Sequence, residues 1–133
     1  MNGRFLLDTN IIIALLNGDE VVLSNLVQSP EVFIPSIALG ELFFGAAKSG
    51  RPSENIDRVE RFASGRAILL CDVDVAREYG RPKQRLHEKG RPLPENDIRI
   101  AAMATRHGMT LVTRESHFQE VEDLRTVDWG LNP

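Results

Sequence analysis

The stretch Phe5-Leu6-Leu7-Asp8-Thr9-Asn10-Ile11-Ile12-Ile13-Ala14-Leu15-Leu16 is almost unbroken hydrocarbon with one carboxylate, Asp8, set in its middle. Phe5 to Leu7 reads as a buried strand and Ile11 to Leu16 as a buried helix, so Asp8 falls at the carboxyl end of the first strand, where the chain turns. Ligands of open α/β sheets bind along that edge. An unpaired charge beside so much apolar surface is costly, so Asp8 has to be neutralised, hydrogen-bonded or bound to a cation.

The rest of the chain alternates strand and helix patterns. Strands are predicted at 4–8, 32–34, 66–71 and 110–113, with an edge strand within 124–129. Helices are predicted at 9–17, 20–28, 36–49, 53–63, 72–89 and 97–107, with a short helical turn at 115–120. Ser36 and Asn96 read as helix N-caps, Gly18 and Gly108 as helix ends, and Gly80 with Pro82 as a kink or break. Such alternation implies right-handed crossovers and an α/β fold, a central, mostly parallel twisted sheet covered on both faces.

With 133 residues and 42% hydrophobic content, the chain suits one domain spanning 1–133. The single Cys71 cannot close an intramolecular disulfide, and its strand-like neighbours predict a reduced, buried thiol and a cytoplasmic setting. No apolar run approaches the ~20 residues of a membrane span, and no signal-peptide pattern opens the chain, so neither anchoring nor export is expected. A formal net charge of −3 argues against nucleic-acid binding by overall basicity and leaves room for a local basic track.

Glu41 repeats the puzzle of Asp8, because Ile37, Ala38, Leu39, Leu42, Phe43 and Phe44 nearly surround it. Gly40 and Gly45 flank it at a helix cost of about 1 kcal/mol each, which suggests another backbone packed closely there. In a doubly wound sheet the ends of the first and fourth strands are neighbours, which brings Asp8 toward Glu115, while Glu41 and Asp97 sit in helices able to face the same edge. At ~4 Å and an effective dielectric near 20, each pair of free anions repels by about 4 kcal/mol. Four such acids need protons or a divalent cation. Oxygen donors without His or Cys select Mg²⁺ or Mn²⁺, and that chemistry leads to phosphodiester hydrolysis by an activated water.

Four motifs then converge on one family. Leu6-Leu7-Asp8-Thr9-Asn10, Pro35-Ser36-Ile37-Ala38-Leu39-Gly40-Glu41-Leu42, Pro94-Glu95-Asn96-Asp97 and Leu111-Val112-Thr113-Arg114-Glu115-Ser116-His117-Phe118 stand in order, with Val127-Asp128-Trp129 at the end. Together they resemble the PIN-domain ribonucleases, specifically the VapC-type toxins of bacterial toxin–antitoxin pairs. The resemblance implies a PIN-like three-layer α/β/α sandwich, Mg²⁺- or Mn²⁺-dependent cleavage of RNA, a homodimer and inhibition by a cognate antitoxin. By position it makes Asp8 and Asp97 direct metal ligands, Glu41 a ligand through water or an activator of water, and Asn10 and Thr113 supports for the acids. Glu115 stands where many relatives have Asp. Arg99 replaces a frequent aromatic residue, and Pro82 interrupts a helix that relatives keep whole.

Other readings compete. Asp8 alone could be a helix cap and Asp97 a first-turn acid favoured by the helix dipole. Arg77, Arg81, Lys83, Arg85, Lys89 and Arg91 could carry RNA or form a solvated charged face. His87, His107 and His117 form no ligand spacing and read as surface or helix-end residues. The alternative to the nuclease is a catalytically impaired PIN-fold module that binds RNA or protein. A receiver-type signalling domain would want adjacent acids after strand one and a Lys after the last strand, and the chain has neither.

Overall fold

A computed structural model describes residues 3–130. Its order is β1 (Arg4–Leu7), α1 (Thr9–Leu16), α2 (Glu20–Gln28), β2 (Glu31–Pro35), α3 (Ser36–Ala47), α4 (Pro52–Ala63), β3 (Ala67–Leu69), α5 (Val73–Glu88), α6 (Glu95–His107), β4 (Thr110–Val112), a 3₁₀ turn (Ser116–Glu120) and β5 (Thr126–Val127). The strands form one sheet in the order β3-β2-β1-β4-β5, parallel at every pairing. The first strand is central because it is apolar on both faces: Leu6 and Leu7 have no exposed surface, and neither do Leu111 and Val112 of β4 beside them. Strand order reverses between β1 and β4, so right-handed crossovers put α5 and α6 on the face opposite the preceding helices. Helices cover both faces, giving the α/β/α sandwich. Phe118 and Trp129 close the β5 end of the core, with the Trp129 ring 5.6 Å from that of Phe5.

Shortening Leu6, at the sheet centre with no exposed surface, is expected to cost roughly 2–5 kcal/mol. Denaturant unfolding of Leu6→Ala measures it, and a loss below about 1 kcal/mol would contradict the packing described.

Several local expectations are corrected. Cys71 is exposed, because β3 is an edge strand that ends at Leu69 and the chain then runs over the surface, with Leu70 also exposed. Gly40 and Gly45 have nothing within 4 Å of where a Cβ would stand, so no backbone packs on them. Ser36 and Asn96 lie inside their helices, whose N-caps are Pro35 and Pro94, neither with a side-chain bond. Asn96 instead accepts from Arg99, at 3.2 Å. Helix α5 is unbroken through Pro82, which removes one backbone donor from a helix of 16 residues packed along α6. Helix α1 is not buried throughout: Ile13 is 41% exposed, since a helix presents only one side to a sheet.

Candidate active site at the carboxyl edge of the sheet

The switch point between β1 and β4 fixes the site. Asp8 follows β1 directly, and Thr113 follows β4. The Asp8 amide donates to the Val112 carbonyl at 3.0 Å, extending the strand pairing to the edge itself. Asp8 is the N-cap of α1, with Oδ1 accepting from the Thr9 amide at 2.8 Å and Oδ2 from the Thr113 hydroxyl at 2.8 Å. Capping is therefore real but covers one oxygen only, and the carboxylate remains 3% exposed. Burial pushes its pKa above the ordinary 3.8. The bonds from Thr113 and Thr9 oppose this, the charge of Glu115 adds to it and His117 eases it.

The other acids reach the same edge from separate elements. Glu41, in the second turn of α3, accepts from the Thr9 hydroxyl at 3.1 Å. Glu115, in the loop after β4, accepts from Asn10 at 2.5 Å, and its amide donates to the Thr113 hydroxyl at 3.0 Å. Asp97, in the first turn of α6, faces His117 at 2.9 Å. Burial pushes Asp97 above 3.8 as well, and after burial the strongest cause is the charge of Asp8, with Glu41 adding to it and His117 opposing it. The charges of Asp8, Glu41 and Asp97 are thus felt at one place.

They do not stand as a finished coordination shell. Among the described residues, no three His, Cys, Asp or Glu side chains form a group placed to hold a metal ion. The expectation that four carboxylates share one tight pocket is corrected to that extent. Each acid instead bonds its own partner: Asp8 with Thr113, Glu41 with Thr9, Glu115 with Asn10 and Asp97 with His117. The donor chemistry nevertheless fits a hard divalent cation. Asp8 and Asp97 offer oxygen only, and the charge of Asp8 raises the cost of ionising Asp97, a cost that a nearby double positive charge reverses.

His117 is the residue that sequence reading missed. It is half-buried against Asp97, its ring 4.8 Å from that of Phe118, and not a plain surface group. Its only sequence signal was its place two residues after Glu115, on the turn that follows a site strand. The basic stretch is settled differently. Arg77 pairs with Asp74, Arg81 with Glu78, Lys83 with Glu95, Arg85 with Glu122 and Asp123, Lys89 with Glu122, and Arg91 with Glu120. A face whose cations already meet carboxylates attracts phosphate weakly. Replacing Arg81, Lys83 and Arg85 with Ala together should shift the salt slope of RNA binding by less than about 0.9, the value of one phosphate contact. A steeper change would assign these residues to the RNA.

Comparison with known proteins decides the family. The PIN domain model matches residues 5–124. The chain belongs to the PIN-domain family and, within it, to the VapC ribonucleases. It is 36% identical over 129 residues to Ribonuclease VapC2 of Haemophilus influenzae, covering 95% of this chain and 98% of that one. It is 35% identical over 131 residues to the tRNA(fMet)-specific endonuclease VapC of Shigella flexneri, with 96% and 98% covered. In three dimensions it matches DNA-bound VapBC from Salmonella typhimurium with a TM-score of 0.89 at 33% identity, over 96% of this chain and 99% of that one. Asp8, Glu41, Asp97 and Glu115 all fall within the matched residues of this VapC-like chain.

Proposed function

We propose that this chain, acting as one PIN domain, is the toxin of a toxin–antitoxin pair and hydrolyses RNA phosphodiester bonds with a Mg²⁺- or Mn²⁺-activated water. The single observation that carries the reading is geometric: at the sheet's switch point Asp8 is held by Thr113 and the Thr9 amide, and the Thr9 hydroxyl ties Glu41 to the same edge. Asp8 and Asp97 would hold the cation, which when bound would supply a more acidic water and charge stabilisation for the leaving oxygen. Thr113 and the Thr9 amide fix Asp8 in one orientation, so it needs little reorganisation to bind. Glu41, steadied by Thr9, takes up the proton of the attacking water, and Glu115, steadied by Asn10, acts from the outer rim.

The Shigella flexneri relative is named for its specificity for tRNA(fMet), which makes initiator tRNA the first RNA to test. Purified protein with Mn²⁺ should cut it, EDTA should stop the reaction, and Asp97→Ala should abolish the products. Metal-independent or Asp97-independent cutting would overturn the reading. Intact tRNA under all conditions would favour the non-catalytic binding module.

The partner is a cognate antitoxin, and the place we assign it is the cavity of about 250 Å³ between α1, α3 and α4. Ile13, Leu16, Leu42, Ala46 and Val59 give it an apolar lining, and Glu41 stands at its edge. An apolar helix lying there would bring a basic side chain to the acids. We place the protein in the cytoplasm, where its RNA is, and as a homodimer. No single helix among the described residues is long and apolar enough to cross a membrane.

A further inference from the structure

We propose that Arg114 is a positioning residue of the acid site, a clamp that holds the loop carrying Thr113 and Glu115 against the α1–α2 turn and the chain end after β5. The inference rests on the ribonuclease reading for its activity measurements. Arg114 lies between the residue that bonds Asp8 and the residue that bonds Asn10, so the course of its backbone sets both. Its own side chain points away from the acids. One guanidinium nitrogen meets Asp19 Oδ2 at 2.8 Å, and Nε stands 3.8 Å from Asp128 Oδ1.

Both acids are themselves fixed. The second oxygen of Asp19 caps α2, accepting from the amides of Val21 and Val22 at 3.0 and 3.1 Å. Asp128 accepts from the Gly130 amide at 2.6 Å. Gly130 completes the seat: a Cβ there would come within 2.1 Å of Arg114 Nε, so any side chain at this position forces the guanidinium to shift. Three segments distant in sequence, around Asp19, Arg114 and Asp128, thus converge on one planar cation whose fork geometry suits two carboxylates. Exposed ion pairs add little stability, and the Arg114 side chain is 35% exposed. Its contribution is to geometry, which separates it from a merely structural residue.

Cleavage of initiator tRNA with Mn²⁺, together with the Mn²⁺ dependence of thermal unfolding, tests the clamp. Arg114→Ala is expected to lower kcat on the order of 10- to 100-fold with KM for RNA unchanged, and to weaken Mn²⁺ binding by a similar factor. Arg114→Lys restores part of both. Asp19→Ser keeps a good helix cap but is too short to reach the guanidinium, and Gly130→Ala displaces the guanidinium from the other side. Each should reproduce the Arg114→Ala effect in direction, and they decide the matter if Arg114→Ala does not fold. A lowered Tm with unchanged kcat and Mn²⁺ affinity overturns the proposal. So does a raised KM with a flatter salt dependence, which would put Arg114 on the RNA. If the wild type cuts no tRNA, the ribonuclease reading fails separately, while the Mn²⁺ titration still tests the clamp.

Discussion

Asp97→Asn should give a protein that no longer cuts RNA yet unfolds at a higher temperature than the wild type at pH 7 in the absence of divalent ions. If Asp97 is a direct ligand, as proposed above, its loss removes several kcal/mol of charge stabilisation in the transition state, so cleavage should fall on the order of a thousandfold or more. The gain in stability follows from the raised pKa of Asp97, whose causes are burial and then the charge of Asp8. A carboxyl that binds its proton more tightly folded than unfolded contributes stability below the ordinary value of 3.8. That contribution is lost as pH rises through the folded pKa. At neutral pH the wild type therefore carries an unfavourable charge that Asn lacks, while Asn can still accept from His117. The Tm difference should be positive at pH 7 and shrink on acidification toward pH 3.8. A difference that ignores pH, or a variant less stable at pH 7, would remove Asp97 from the charged cluster. Trading stability for function in this way is common where like charges are held together for chemistry.

Addition of Mn²⁺ should reverse the same strain. A cation at a hundred times its Kd stabilises a protein by about 2.7 kcal/mol if it does not bind the unfolded chain, which in a domain of this size raises Tm by about 10 °C. In Asp8→Asn the shift should vanish along with cleavage, although Thr113 and the Thr9 amide still have a polar group to bond. Calorimetric scans with and without Mn²⁺ measure it. An undiminished shift in Asp8→Asn would place the ion elsewhere and, with it, the reaction. Asp8→Asn should itself match the wild type or exceed it in stability at pH 7 without metal, because burial raises the pKa of Asp8 too and the same sign argument applies.

How far the site could be read before folding differs by residue. Asp8 was legible as a carboxylate inside an apolar run, with a helix cap as the competing explanation; its predicted place after β1 is where it stands, and it caps α1 as well. Asp97 and Glu41 were legible as acids beside apolar helix faces, and the electrostatic coupling of Asp97 to both Asp8 and Glu41 is what that placement entails. The pairing of β1 with β4 followed from reading the alternation as a doubly wound sheet, which places the first strand near the centre. His117 was not legible, since a single imidazole two residues past a strand end has no periodic signal. The basic stretch was ambiguous for a related reason: its partners Glu95, Glu120, Glu122 and Asp123 lie outside the helix, and only packing brings them to it. Cys71 and Ile13 were misplaced because local hydrophobicity does not say whether a strand is central or at an edge, or which side of a helix meets the sheet.

The amino-acid sequence by itself determined the α/β alternation, the acids and the edge on which they fall, because hydrophobic period and chain handedness are local properties with global consequences. Tertiary structure alone decided which donor each carboxylate leans on, that His117 faces Asp97, and that Arg114 ties three distant segments together. Those contacts join residues 14 to 105 positions apart in the chain, from Arg114 with Asp128 to Thr113 with Asp8. Hydrogen bonds act over about 3 Å, so no pattern along the backbone can announce them before the sheet has brought its ends to one rim.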